Sequence, residues 1–149
     1  MSLKDQLTAD MKEAMRQKDK VALSTIRLLK ASVQNEEIAL GQPLNEEQEL
    51  TVLSRELKQR RDSLAEFEKA GRDDLTGQLN EEIAVVKRYM PEQLSDEEIR
   101  SIVEATIEKV GATQMSDFGK VMGAVMPQVK GKADGNKVNA VVKQLLQEK

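Results

Sequence analysis

The sequence contains no cysteine and no histidine among its 149 residues. Without cysteine the chain has no disulfide, no thiolate nucleophile and no cysteine-based metal site. Without histidine it lacks the commonest general base at neutral pH and the commonest zinc ligand. Any chemistry would therefore depend on carboxylates, on lysine or on a bound cofactor.

Aromatic residues are also scarce, at 2% of the chain. The aromatic residues are Phe67, Tyr89 and Phe118, and they are widely separated. Scattered aromatics provide no stacking platform for single-stranded nucleic acid. Few β-branched runs and many Glu, Lys, Gln and Leu residues favour helices, so the sequence predicts an all-α fold.

Long hydrophobic runs are absent as well. No apolar run approaches the roughly 18 residues that indicate a membrane-spanning helix, and no signal peptide is recognisable. The sequence therefore predicts a soluble, cytoplasmic protein without a membrane partner. The chain is long enough for one domain or two small ones.

Capping residues and apolar spacing predict four helices in the first part of the chain. Their predicted starts and stops, in chain order, are Ser2, Asp19 to Gly41, Asn45 to Gly71, and Asp73 or Asp74 to Pro91. These helices would form a helical bundle domain over residues 1–92.

A second domain, of three helices, is predicted over residues 93–149. Ser95 and Glu98 form a capping box for a helix over 96–110, which Gly111 ends. The next helix begins between Thr113 and Ser116 and runs toward Pro127, and the segment QVKGKADG that follows reads as a loop. A last helix starts at Asp134.

The third predicted helix carries a leucine seam that Arg60 interrupts. One interpretation is that Arg60 extends its side chain to solvent at the edge of the seam. The other is that Arg55, Lys58, Arg60 and Arg61 form a ligand-facing basic patch. Because Glu56 and Asp62 lie among them, the sequence favours a solvated face whose charges pair with one another.

Charge is distributed unevenly along the chain. Residues 1–94 carry 15 basic and 18 acidic side chains, and residues 95–118 carry 2 and 6. Residues 119–149 carry 6 basic and 2 acidic side chains, a net charge of +4. The only concentrated basic region is therefore at the end of the sequence.

That basic region opens with GKVMGAVMPQVKGKADG, residues 119–135. Gly119 and Gly123 lie one turn apart on one face, and together they cost about 2 kcal/mol of helix propensity relative to alanine. Close packing of another helix would explain them, and so would close approach of a phosphate backbone between nearby lysines. Pro127 is expected to loosen the turn at the Gly123 carbonyl and end the helix.

Other chemical motifs fail. A phosphate-binding loop of Walker type is excluded because Ala133 follows Gly131-Lys132 and Met126 stands where the first glycine is needed. The Glu pairs lie near helix starts or on polar faces, where helix-dipole and solvation roles account for them. The sequence predicts no catalytic residue, no cofactor site and no metal site. A nucleic-acid partner would be a structured duplex, contacted by shape and phosphate.

Two segments carry a family resemblance: LTVLSRELKQRRDSLAEFEKAGRDDL, residues 50–75, and FGKVMGAVMPQVKGKADGNKVN, residues 118–139. Both resemble the YqeY family of small bacterial proteins. Residues 95–149 are also similar to the tail domain of the B subunit of the glutamine-dependent tRNA amidotransferase, a helical module that helps to hold tRNA. The tail motif matches this chain at Gly119, Lys120, Gly123, Lys130, Gly131, Lys132 and Ala133.

The resemblance implies a tRNA-binding accessory protein that partners an amidotransferase or an aminoacyl-tRNA synthetase. It also implies a carbon–nitrogen ligase label with glutamine as amido donor, although the chain is not expected to be catalytic alone. The alternative is a helical module that docks to such a protein partner. Together with the charge pattern, the predicted RNA-binding residues are Gly119, Lys120, Gly123, Lys130, Gly131, Lys132 and Lys137.

Overall fold

The structure is a computed structural model that describes residues 2–148. Within this range the chain forms seven α-helices, one short 3-10 turn and no strand, so the all-α prediction is confirmed. The helices are α1 (Leu3–Gln17), α2 (Lys20–Leu40), α3 (Glu46–Lys69), α4 (Asp73–Lys87), α5 (Asp96–Val110), α6 (Phe118–Val129) and α7 (Gly135–Gln147), and the 3-10 turn spans Met115–Asp117. None of the helices in residues 2–148 is long and apolar enough to cross a membrane.

Helix starts follow the sequence prediction where a capping side chain is present. The caps whose side-chain oxygen accepts a bond from the backbone N–H three residues later are Ser2, Asp19, Asn45 and Ser95. Asn45 and Ser95 make complete capping boxes, with Gln48 and Glu98 bonding back to the cap N–H. Satisfying these N–H groups lets each helix begin at a defined residue.

The start of α4 differs from the prediction that Asp73 or Asp74 caps it. Arg72 occupies the cap position and makes no side-chain cap bond, while both aspartates lie in the first helical turn. The Arg72 guanidinium instead donates two hydrogen bonds to the Asp74 carboxylate, at 3.1 and 3.0 Å. This hydrogen bonding holds the pKa of Asp74 below its ordinary value. The two aspartates therefore interact favourably with the positive end of the helix dipole, although neither of them caps the helix.

The end of α6 also differs from the prediction, because the helix continues through Pro127 to Val129. Proline cannot donate to the Gly123 carbonyl, but both residues are exposed, so solvent can satisfy that oxygen. Contacts with the core and with α5 hold the last turn of α6 in place. Val129 is fully buried, and the Gln128 amide donates to Thr106 Oγ1 on α5 at 3.0 Å. The predicted loop is correspondingly shorter, at residues 130–134.

The described chain divides into two compact units between Met90 and Pro91. In the first unit, α1 to α4 bury an apolar core built mainly from Leu, Ile and Val. In the second unit, α5, α6 and α7 pack against one another around a separate core of Val, Ile and Leu. The basic segment singled out in the sequence lies entirely in the second unit.

Candidate nucleic-acid interface

Helix α6 has two contrasting sides. Val121, Val125 and Val129 are fully buried. Gly119 and Gly123 are exposed on the opposite side. At 100° per residue, Gly119, Gly123 and Pro127 fall within about 80° of one another. We call this exposed strip of α6, formed by Gly119, Gly123 and Pro127, the bare face.

The bare face does not serve packing within the described chain. A Cβ atom added at Gly119 or Gly123 would meet no heavy atom within 4 Å outside the local helix. Neither glycine has a positive φ, so no backbone strain requires glycine there. The interpretation that these glycines admit a neighbouring helix of the same chain is therefore wrong for residues 2–148, and the propensity that they sacrifice is not offset by contacts among those residues.

The segment 130–134, which we call the lysine loop, follows directly from the bare face. Gly131 has φ +76°, a left-handed conformation that side chains disfavour, and it turns the chain back toward α5. The Gln93 side-chain amide donates to the Gly131 carbonyl at 2.8 Å. The Leu94 N–H donates to the Lys132 carbonyl at 2.8 Å. The segment before α5 therefore holds the loop at two successive carbonyls.

The predicted lysines have different surroundings. Lys120 projects from α6 and Lys132 from the lysine loop, and neither side chain makes a hydrogen bond or ion pair within residues 2–148. Lys130 is the exposed residue that ends α6. Lys137 lies in the first turn of α7, where its ammonium pairs with Asp96 at 2.5 Å. Because of this ion pair, Lys137 is less suited to a phosphate than Lys120 and Lys132.

Acidic groups limit the basic surface near Lys132. Glu92 and Glu98 line, together with Gln93, Leu94 and Lys132, an open cleft of about 390 Å³. Hydrogen bonds from the Ser95 backbone and side chain hold the pKa of Glu98 below its ordinary value, so its carboxylate stays ionised at neutral pH. An anion approaching Lys132 is therefore favoured from the α6 side rather than through this cleft.

The second candidate, the cation cluster of α3, is not a ligand surface at Arg60. Arg60 keeps only 8% of its surface exposed. Its guanidinium bonds Glu56 at 2.8 Å and Glu82 of α4 at 3.3 Å. Arg60 thus does not extend to solvent at the edge of the seam, and its charge is paired with carboxylates of its own chain, as the self-paired interpretation predicts. Around it, Arg55 pairs with Glu36 and Lys58 with Asp62, as the self-paired interpretation of this face predicts.

Sequence reasoning missed two groups that the structure places near these sites. Gln93 bonds the lysine loop across 38 positions of sequence. Glu82 reaches Arg60 from α4. No spacing in the sequence marks either partner, because the contacts arise only when separate helices pack. The sequence shows Gln93 and Glu82 themselves, but it does not indicate that their partners are Gly131 and Arg60.

Comparison with known proteins identifies relatives in fungi. Several of them are called "Altered inheritance of mitochondria protein 41, mitochondrial". The protein of that name from Pyrenophora tritici-repentis is 33% identical to this chain, over 85% of this chain and 71% of the relative. The protein of that name from Saccharomyces cerevisiae (strain YJM789) is 31% identical, over 80% of this chain and 68% of the relative. The protein of that name from Clavispora lusitaniae is 34% identical, over 86% of this chain and 74% of the relative.

These names contradict the expectation of a cytoplasmic protein. Each of the three relatives is called mitochondrial, and the cytoplasmic prediction is withdrawn on that ground. The prediction rested on the absence of a recognisable signal peptide and of a long apolar run. Neither feature distinguishes the cytoplasm from the mitochondrial interior.

The family model described as "Yqey-like protein" matches residues 4–146. The match covers α1 and reaches into the last turn of α7, so it spans both compact units. It agrees with the resemblance found at residues 50–75 and 118–139. This chain therefore belongs to the YqeY-like family.

Proposed function

We propose that this protein is a tRNA-binding accessory protein related to the glutamine-dependent tRNA amidotransferase. The observation that supports this most directly is the bare face, where a Cβ added at Gly119 or Gly123 would meet no heavy atom of residues 2–148 within 4 Å outside the local helix. A helix surface without side chains lets a sugar–phosphate backbone approach closely, while Lys120, Lys130 and Lys132 supply charge around it. The resemblance of residues 95–149 to the amidotransferase tail adds support.

The geometry favours structured RNA over a single strand. The bare face and the lysine loop extend over about 17 Å from Gly119 to Lys130, from the rise of a helix. Phe118, the one aromatic residue of the second unit, is half-buried, with the Lys143 ammonium 5.7 Å from its ring centre. It is therefore not presented for stacking, and phosphate contacts would dominate binding.

Bulk tRNA binding at low salt tests the proposal, with both bacterial and mitochondrial tRNA in the assay because the relatives are called mitochondrial. Affinity should fall as salt rises. Lys130→Glu with Lys132→Glu should weaken binding about tenfold or more, because two phosphate contacts become repulsive. The readout is the dissociation constant from a gel shift over a salt series.

The matched control is Lys12→Glu with Lys87→Glu, two exposed lysines of the first unit. This control changes the net charge by the same amount, so it should leave affinity nearly unchanged if position matters. Equal weakening by both pairs would remove the site assignment. Absence of binding by the unmodified protein would remove the function.

A second function, a helical module that docks to a protein, is supported by the same glycine spacing. Glycines at positions i and i+4 on an exposed face also admit the backbone of a partner helix. In that case, capture of an amidotransferase or synthetase partner should survive nuclease treatment. Gly123→Leu should then abolish capture and leave tRNA affinity unchanged.

A further inference from the structure

The conformation of Lys132 is determined from both sides. The peptide group before Lys132 donates its N–H to the Val129 carbonyl at 2.8 Å, and its oxygen accepts from the Gln93 amide at 2.8 Å. The peptide group after Lys132 donates from Ala133 to Val129 at 3.2 Å and accepts from Leu94 at 2.8 Å. Because peptide groups are planar, fixing both of them fixes the two backbone torsions of Lys132.

Gln93 supplies the only side chain among these bonds. Its amide nitrogen carries two hydrogens, and the second is donated to the Pro91 carbonyl at 3.0 Å. Both donors are therefore used, and the amide cannot rotate without losing a bond. Gln93 is half-buried, whereas the Lys132 side chain is exposed.

We propose that Gln93 is a positioning residue for RNA binding: it holds the lysine loop in the conformation in which Lys132 projects to solvent beyond the end of α6. This inference rests on the proposed function, and it adds a residue outside the basic segment. Gln93 acts through the backbone of Gly131 and needs no contact with RNA. A polar side chain in the segment joining α4 to α5 thus sets the direction of a lysine 39 positions later in the sequence.

The first test measures the loop directly. In Gln93→Leu, which is similar in size and removes both donors, the amides of Lys132 and Leu94 should exchange hydrogen with solvent several-fold faster. The Val103 amide in the core of α5 should be unaffected. Gln144→Leu, at an exposed position of α7 whose side chain makes no hydrogen bond within residues 2–148, is the matched control. Unchanged exchange of Lys132 and Leu94 would overturn the positioning role.

The second test is a double-mutant cycle on tRNA affinity. Gln93→Leu should weaken binding about three- to fivefold, in the range of one hydrogen bond. If Gln93 acts through Lys132, combining Gln93→Leu with Lys132→Gln should weaken binding little more than Lys132→Gln alone. A role in general stability, or a direct RNA contact, would instead give additive losses.

The outcomes separate the two proposals. Unmodified protein that does not bind tRNA would overturn the proposed function, and the positioning role would fall with it. Unmodified protein that binds, with additive losses in the double variant, would overturn the positioning role alone. Non-additive losses together with faster exchange in the lysine loop support both.

Discussion

The two compact units use cationic side chains in opposite ways. On α3 of the first unit, Arg55, Lys58 and Arg60 each pair with a carboxylate, and Arg60 is buried between Glu56 and Glu82. In the second unit, Lys120 and Lys132 are exposed and have no such partner within residues 2–148. The cations of α3 are closer together in the sequence than those of the second unit, but they are the ones that pair with carboxylates of the same chain.

Cation density in the sequence therefore does not show whether the cationic side chains are paired within the chain. The α3 cluster contains interleaved acids at helical spacing, and further carboxylates from α2 and α4 reach Arg55 and Arg60, so its charges pair within the unit. The α6 segment carries exposed glycines, and no acidic residue lies between Gly119 and Asp134. The absence of side chains on one face distinguishes the second region, and the predictions below test this contrast.

The largest expected effect concerns the buried charges of the first unit. Arg60→Ala should lower the free energy of unfolding by about 3 kcal/mol, because it leaves two carboxylates inside without their cation. The one tyrosine of the chain, Tyr89, lies in the first unit, so its fluorescence during urea unfolding reports this unit.

Arg55→Ala is the control, since its ion pair with Glu36 is half exposed. It should cost less than about 1 kcal/mol. A variant that replaces the buried charges together, Arg60→Met with Glu56→Gln and Glu82→Gln, should recover most of the loss. An equally small effect of Arg60→Ala and Arg55→Ala would show that the contrast between the units is false.

A smaller and opposite effect is expected on the bare face. Gly119→Ala and Gly123→Ala should each stabilise the second unit by up to about 1 kcal/mol, because the helix propensity rises and no atom obstructs the methyl group. Both should nevertheless weaken tRNA binding. Stability is measured by circular dichroism during urea unfolding, and affinity by gel shift.

Gly77→Ala on α4 is the matched control, since a Cβ there also meets nothing within 4 Å. It should stabilise α4 by a similar amount without changing tRNA affinity. If the α6 variants gain stability and keep full affinity for tRNA, the bare face has no role in binding. The difference between α3 and α6 would then have no consequence for function.

The smallest effect is a pH dependence confined to the first unit. Burial, together with a 2.5 Å hydrogen bond from Tyr89 Oη to Asp10, raises the pKa of Tyr89 above its ordinary value of 10.0. A pKa raised by folding means that the contribution is fully present below about pH 10 and is lost as pH rises through the higher folded value.

Tyr89→Phe should remove that dependence. The difference in unfolding free energy between the unmodified protein and Tyr89→Phe should shrink above pH 10 relative to pH 8, as followed by circular dichroism. Lysines also titrate in this range, but they are common to both proteins and cancel in the difference. A constant difference from pH 8 to pH 11.5 would contradict the assigned environment of Tyr89.

Much of the local structure could be predicted from the sequence because its causes are local. A capping side chain bonds a backbone N–H three residues away, so Ser2, Asp19, Asn45 and Ser95 marked helix starts that the structure confirms. Gly41 and Gly111 marked helix ends for the same reason. The apolar spacing of each helix likewise indicated which side enters a core.

Two of the errors depend on residues distant in sequence, whereas the hydrogen bonds from Arg72 to Asp74 at the start of α4 are local. Pro127 does not end α6, because buried Val129 and the bond from Gln128 to Thr106 hold the next turn. Arg60 is buried because Glu82 approaches from α4. The ion pair between Lys137 and Asp96 also joins residues distant in sequence, and the RNA-binding role of Lys137 stays a prediction.

The sequence by itself therefore determined an all-α chain, the starts of the helices that have a capping side chain, and a basic glycine-bearing segment near its end, since composition, capping and spacing act over a few residues. Only the tertiary structure decided that the two glycines face outward with nothing against them. It also decided that Arg60 is buried against Glu82 of α4 and that Gln93 holds the lysine loop. These features depend on which helices pack together, and helix packing brings into contact residues that no local spacing connects.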